Sequence, residues 1–148
     1  ARSHWRDFNL GEEFAKVTDI HIHVPEGAVQ KDGPSAVIAM ATSLISALTG
    51  TATKRDVGMT GEITLRGRVL QIGGVKEKVI AAHRAGLKTI VLPKENKKDM
   101  EEVPDNVKRD IKFVFAEHLD QVLEIAFQTS PRATKKAPAD MPQSPAYA

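Results

Sequence analysis

The alternation of apolar and polar residues predicts short strands in several parts of the chain. Residues 18–24 alternate strictly and place Ile20, Ile22 and Val24 on one face, as a half-buried strand requires. Two further short apolar runs flank a glycine-centred turn, which is typical of a β-hairpin. The predicted strands lie at 18–24, on both sides of the Arg66-Gly67-Arg68 turn within 60–70, at 88–92 and at 112–115.

Helical periodicity predicts helices between these strands. The first covers residues 34–48, with Asp32 as a candidate N-cap, Pro34 in its first turn and Gly50 after its end. This helix has no charge on any side, so we expect it to be buried nearly all round. The others lie at 75–85, closed by Gly86, at 95–102 as a charged helix or turn, and at 119–127. Strands that interleave with helices predict a layered α/β domain.

Composition narrows the class of protein. The chain has 148 residues, 41% hydrophobic and 27% charged, which predicts one soluble domain at 1–128 with a sizeable core. The Pro-rich, basic residues 129–148 predict a disordered tail. Acidic and basic residues balance outside that tail, so we expect no nucleic-acid surface on the domain. The absence of cysteine excludes disulfides and thiolate metal sites, and the uncharged run 33–53 indicates a buried helix rather than a membrane span.

Ser35 stands at the predicted start of the first helix, and two interpretations of it are open. Serine is favoured at helix starts as a local capping or turn residue, and its position alone favours that interpretation. It could instead be a nucleophile, because unpaired backbone N–H groups at a helix start would stabilise an oxyanion. A serine nucleophile needs a base to accept its proton, so the second interpretation depends on finding one.

Lys78 is a candidate for that base. On a helical wheel of residues 75–85 it lies away from Lys76 and is the only charge in a sector of small apolar residues. Burial there would disfavour the charged form of the amine, as a general base requires. In the alternative interpretation the lysine extends its stem over apolar surface and its ammonium group reaches water.

Other candidate chemistry is weaker. His21 and His23 share the polar face of the first predicted strand and could ligate a metal ion, but the sequence indicates no third ligand, so we expect a polar-face role. No G-x-x-x-x-G-K-[ST] loop is present, which excludes a nucleotide site of that type. The stretch from Gly33 to Val37 departs from G-x-S-x-G at its last position.

Several motifs taken together closely resemble the proteolytic domain of the Lon family of ATP-dependent proteases. The resemblance extends over residues 1–128 and implies a Lon-type α/β (α+β) fold, similar to the second-domain fold of a small-subunit ribosomal protein. The motifs are Lys31-Asp-Gly-Pro-Ser-Ala36, Met59-Thr-Gly-Glu-Ile63, Gly73-Gly-Val-Lys-Glu-Lys78, Ala81-Ala-His83 and Leu92-Pro93.

The resemblance implies a serine endopeptidase with a Ser–Lys dyad. Ser35 matches the nucleophile and Lys78 the base. A threonine that orients the lysine matches Thr60, and an acidic residue of the active-site loop matches Asp32. The resemblance also places His21 and His23 near the site as supporting residues.

The same resemblance implies partners and a compartment. We expect unfolded or damaged proteins as substrates and a hexameric assembly in the full-length protein. No cofactor is expected in this domain, because ATP and magnesium serve an ATPase region absent from this chain. The implied compartment is the bacterial cytoplasm, with the mitochondrial matrix as the alternative.

Departures from the family pattern leave a second hypothesis open. Val37 stands where the family usually has glycine and Gln30 where it usually has proline. The family's domain also normally begins with further strands and a helix, so we expect this chain to be truncated. The second hypothesis is therefore a catalytically impaired binding or assembly module of the same fold. A third, a nucleic-acid-binding α/β domain, is disfavoured by the balanced charge.

Overall fold

A parallel sheet and a separate hairpin organise the part of the chain that the computed structural model describes, which is Phe8, Leu10, residues 19–23 and residues 34–131. The elements follow one another as α1 (Val37–Thr49), β1 (Val57–Met59), β2 (Glu62–Ile63), β3 (Val69–Leu70), α2 (Val75–Arg84), β4 (Thr89–Pro93), a 3-10 helix (Lys94–Glu102), α3 (Asp105–Asp110), β5 (Lys112–Ala116) and α4 (Leu119–Ala126).

The larger sheet has the strand order β1-β4-β5, and both of its pairings are parallel. Parallel neighbours need a crossover connection. The hairpin and α2 connect β1 to β4, and the 3-10 helix with α3 connects β4 to β5. The hairpin strands β2 and β3 pair antiparallel, with Glu62 opposite Leu70.

The side chains of the central strand β4 divide the core into two layers. Ile90 and Leu92 pack with Val75 and Val79 of α2 in one cluster, whereas Val91 packs on the other face with buried residues of α1, β3, β5 and α4. Successive residues of a strand point to opposite faces, so one strand supplies both layers. The helices thus cover both faces of the sheet, which confirms the predicted layered α/β class.

Most predicted elements are confirmed within one or two residues at each end. The structure also contains two elements, β1 and α3, that the apolar pattern did not predict. Each is short, three and six residues respectively, so neither repeats its periodicity often enough to be recognised.

Predictions about the first helix need correction. It begins at Val37 rather than at residue 34, because Pro34, Ser35 and Ala36 form a turn before it. It is not buried all round either. Ile38, Thr42 and Ile45 face the core, and the opposite side, at residues 36, 40, 43 and 47, is exposed. Small uncharged side chains tolerate exposure, so the lack of charge does not require burial.

The strand predicted at 18–24 is not found in its described part, residues 19–23. Ile20 and Ile22 are 36% and 53% exposed. Alternation alone does not make a strand, because its backbone needs hydrogen-bonding neighbours, and this segment pairs with neither sheet in the described structure. Asp32 and most of the predicted tail, residues 132–148, lie outside the described residues.

Hydrogen bonds hold the tip of the hairpin against the start of α4. Leu119 N donates to Gly67 O at 2.8 Å, and Val69 N donates to Glu117 O at 2.8 Å. His118 Nδ1 accepts from Asp120 N at 3.3 Å, so Nε2 carries the hydrogen and donates to Arg66 O at 2.9 Å. His118 therefore caps α4 and holds the turn of the hairpin at the same time.

The helices in the described ranges include none that is long and apolar enough to cross a membrane.

Candidate active site

Ser35 lies in the turn before α1 and does not cap the helix. The N-cap residue is Ala36, and no side chain caps this end. Ser35 is therefore a turn residue, as the first interpretation allows, and its side chain is not a helix cap. Instead, two hydrogen bonds hold the main chain of Ser35. Its carbonyl oxygen accepts one from Gly61 N at 2.8 Å and one from Thr60 Oγ1 at 3.0 Å. These bonds fix the backbone and leave the hydroxyl of a half-buried serine available for chemistry.

Thr60 follows β1 directly and joins the sheet to this turn. Its N–H donates to Val91 O on the central strand at 3.2 Å, while its hydroxyl bonds to Ser35 O. The position of the serine is thus set by the sheet itself. The resemblance predicts that Thr60 orients the lysine; here its hydroxyl contacts the backbone of the serine, and it lines the same cleft as Lys78.

Lys78 and Lys76 differ as the helical wheel predicts. Lys76 is exposed, whereas Lys78 is half-buried and follows the buried Val75 by three residues. The apolar sector around Lys78 is only partly buried, since Ala81 and Ala85 are exposed. Full burial of Lys78 is therefore not found. Its ammonium nitrogen Nζ donates to Gly73 O at 2.7 Å, at the start of its own helix.

Ser35, Thr60 and Lys78 line one open cleft of about 360 Å³. Its other walls are mostly apolar and come from α1, β1, α2 and β4. Gly58 on β1 makes room here, because a Cβ at that position would lie 2.6 Å from Leu87 Cδ1. Ser35, in the turn before α1, and Lys78, in α2, are far apart in sequence, and these two helices pack on opposite faces of the sheet, yet the fold brings both residues to this cleft. They are not hydrogen-bonded to each other in the described structure.

Backbone N–H groups are available beside the serine. Val37 N donates to Pro34 O and Ile38 N to Gly61 O, so these two donors are occupied. The N–H groups of Ser35 and Ala36 make no backbone hydrogen bond within the described ranges. Such donors, next to a nucleophile, are what a developing oxyanion requires.

The two histidines among the predicted site residues do not join this cleft. His21 and His23 are exposed and do not line it. Across the described residues, no group of three or more His, Cys, Asp or Glu side chains could hold a metal ion. Asp32 is outside the described residues. Val37, the departure from the family pattern, is half-buried at the first position of α1 and does not line the cleft.

One buried polar residue near the site has no counterpart among the sequence predictions. Asn96 in the 3-10 helix is only 1% exposed, and its carboxamide bonds both backbone groups of Ile72. Its neighbours Lys94, Glu95, Lys97 and Lys98 are all exposed. A lone asparagine among charged residues is typical of a solvated surface, so no sequence signal identifies it.

The fold and the cleft define a layered α/β domain that brings a serine and a lysine together. The family model of the Lon protease (S16) C-terminal proteolytic domain matches residues 1–129. The chain belongs to this family, which confirms the resemblance that the motifs carry.

Bacterial relatives support the assignment. The chain is 62% identical over 125 residues to Lon protease 1 of Bacillus subtilis and 58% identical over 125 residues to the Lon protease of Dictyoglomus thermophilum, in each case over 84% of this chain. It is 53% identical over 145 residues, 97% of this chain, to the Lon protease of Desulfosudis oleivorans. The chain spans only 16% to 18% of the length of these relatives.

Proposed function

We propose that this chain is the peptide-hydrolysing part of a Lon-type serine protease, with Ser35 as nucleophile and Lys78 as general base. The observation that carries the proposal is the meeting of Ser35 and Lys78 in one cleft from opposite faces of the sheet. Membership of the Lon proteolytic family and the absence of a capping role for Ser35 support it.

The chemistry is acyl transfer followed by hydrolysis. Neutral Lys78 accepts the proton of Ser35 Oγ as this oxygen bonds to the peptide carbonyl carbon. The carbonyl oxygen becomes an oxyanion and accepts hydrogen bonds from the N–H groups of Ser35 and Ala36. The ammonium group of Lys78 then protonates the leaving amine as the C–N bond breaks. A water molecule then attacks the acyl carbon as Lys78 accepts its proton, and Lys78 returns this proton to Ser35 Oγ as the bond between Oγ and the acyl carbon breaks. A base that begins neutral needs no acidic partner.

The hydrogen bonds to the Ser35 carbonyl order the nucleophile before the acyl transfer begins. Gly61 N and Thr60 Oγ1 hold the serine carbonyl before substrate binds, so the nucleophile loses little further freedom in the reaction. Each such bond contributes about 0.5–1.5 kcal/mol to the ordering of the turn. We therefore assign Thr60 a positioning role.

The names and origins of the relatives support a wider proposal. We propose that the substrates are unfolded or damaged proteins and that the chain acts in a longer, ATP-dependent, hexameric protease of the bacterial cytoplasm. ATP and magnesium would serve a part of that protease other than this domain.

Reaction with a serine-directed phosphonate tests the nucleophile. In the full-length protein we expect one label on Ser35, located by peptide mass spectrometry, because Ser35 shares a cleft with the proposed base and is next to N–H groups that make no backbone hydrogen bond within the described residues. Ser35→Ala should lose both the label and peptide hydrolysis. Ser43→Ala is the matched control, since Ser43 is exposed on α1 and outside the cleft, and it should keep both. Hydrolysis retained in Ser35→Ala would overturn the proposal.

Val37→Gly distinguishes an active protease from the impaired module of the second hypothesis. Since Val37 does not line the cleft, we expect kcat of the variant to stay within about twofold of the parent. The free energy of unfolding should fall by about 1 kcal/mol, because glycine lowers helix propensity and removes a half-buried side chain. Peptide hydrolysis and urea unfolding measure the two effects, with Val37→Ala as control. A tenfold gain in kcat would instead favour the impaired module.

A further inference from the structure

Asn96 is a buried polar side chain that the proposed reaction does not use. It is one of two buried polar residues in the described core, the other being Thr42, which bonds within its own helix. The Asn96 Oδ1 atom accepts from Ile72 N at 3.0 Å, and Nδ2 donates to Ile72 O at 2.8 Å. The carboxamide thus pairs with Ile72 as a neighbouring strand would, holding one residue at both of its backbone groups. A third bond joins Nδ2 to Asp99 Oδ2.

Ile72 directly precedes the backbone group that holds the proposed base. Gly73 follows Ile72, and its carbonyl oxygen accepts from Lys78 Nζ at 2.7 Å. Gly73 and Gly74 have no side chains to anchor them, and a Cβ at Gly73 would meet no atom within 4 Å. The direction of the Gly73 carbonyl therefore depends on its neighbours. On the Ile72 side, Asn96 fixes the backbone.

Gly74, which follows Gly73, also lies close to the Lys78 amine. It is the N-cap of α2 in the left-handed region, with φ of 66° and ψ of 36°. A Cβ on Gly74 would lie 3.2 Å from Lys78 Nζ. A side chain at this position would therefore be in tight contact with the amine, and the left-handed backbone by itself favours glycine.

We propose that Asn96 is a positioning residue for Lys78, acting through Ile72 and the Gly73 carbonyl; this inference rests on the proposed role of Lys78 as base. The hydrogen bond from Nζ to Gly73 O holds the amine in place at the cleft that Ser35 also lines. Asn96 does not line that cleft, so it influences the orientation of the base and not substrate binding.

Asn96→Ala in the full-length protein tests the inference by steady-state peptide hydrolysis. Without its side chain Ile72 loses both bonds and the Gly73 carbonyl is no longer held. We expect kcat to fall about 10- to 100-fold, because small displacements of a catalytic group are costly. KM should stay within about twofold of the parent value, since the cleft walls are unchanged. The rate of phosphonate labelling at Ser35 should fall in parallel with kcat.

Two controls separate positioning from a general loss of stability. Asp99→Ala removes the third bond of Asn96 and leaves both bonds to Ile72, so kcat should be unchanged. Val107→Ala shortens a buried side chain in the core cluster that also contains Val75 and Val79 of α2. Val107 makes no hydrogen bond to Ile72 or to the glycines within the described residues. It should lower thermal stability without the drop in kcat, measured at a temperature where all variants are folded.

Gly74→Ala is a second variant, in case Asn96→Ala does not fold. Its methyl group would press on Lys78 Nζ, and we expect kcat to fall at least tenfold. Gly86→Ala is the matched control at the other end of the helix, because its φ of 78° imposes a similar backbone cost and its Cβ would meet no atom within 4 Å. It should keep the parent kcat.

The outcomes distinguish the inference from the proposed function. If Ser35→Ala and Lys78→Ala lose hydrolysis while Asn96→Ala or Gly74→Ala keeps the parent kcat, the positioning role is overturned and the dyad stands. If Lys78→Ala keeps hydrolysis, the proposed function fails and the inference with it. A fall in kcat for Asn96→Ala that Val107→Ala reproduces at equal stability also overturns the positioning role.

Discussion

Replacing Lys78 by alanine will lower kcat for peptide hydrolysis by about 10³- to 10⁴-fold, the contribution expected of a positioned general base. Lys78→Arg will be as inactive as Lys78→Ala, because a guanidinium keeps the positive charge but does not release its proton in proteins. The pair of variants therefore separates proton transfer from charge. Steady-state hydrolysis of a peptide by the full-length protein, over a range of pH, measures the effect.

The chain supplies a matched control for this prediction. Lys76 lies two residues earlier on the same helix, is exposed, and does not line the cleft. Lys76→Ala should keep kcat within about twofold of the parent, since a single exposed charge contributes little. Thermal unfolding should show all three variants folded. Activity in Lys78→Arg comparable to the parent would show that Lys78 does not act as a base.

Replacing Gly67 by alanine will lower the free energy of unfolding by about 3 kcal/mol, from backbone strain and a lost helix cap together. Gly67 has φ of 83°, in the left-handed region, and a Cβ there would lie 2.8 Å from His118 Nε2. The imidazole cannot move aside freely, because it bonds to Arg66 O and to Asp120 N. Urea unfolding followed by circular dichroism measures the loss.

Gly50→Ala isolates the backbone component of that cost. Gly50 ends α1 with φ of 63°, and a Cβ there would meet no atom within 4 Å. Its loss of stability should be about 1 kcal/mol, the cost of a left-handed residue with a side chain. Equal losses for the two variants would contradict the proposed crowding of His118.

Sequence reasoning predicts the position of Lys78 correctly, because that position depends on the periodicity of one helix only. A period of 3.6 residues separates Lys78 from Lys76 without knowledge of any other element, and the structure agrees. The meeting of Ser35 with Lys78 is different in kind. It depends on how two helices pack across β4, and no local pattern encodes that; the family motifs supplied it instead.

Errors in the fold predictions have a common physical origin. A serine at the start of an apolar helix is typical of a cap. Here hydrogen bonds from Thr60 and Gly61, which are distant in sequence, hold Ser35 in a turn one residue before the N-cap. Asn96 was missed for a similar reason. A polar residue in a charged segment faces inward when buried backbone groups can form hydrogen bonds with it, as those of Ile72 do here. The local sequence does not show which backbone groups these are, because folding brings them together.

The division of the core by β4 has a consequence for the integrity of the cleft. Ser35 depends on the layer packed around Ile38, and Lys78 on the layer packed around Val75 and Val79. Loosening of either layer separates the two residues, and helices loosen locally before whole domains unfold. A copy in which either layer has loosened thus still holds the serine and the lysine, but it lacks the cleft that the proposed reaction needs.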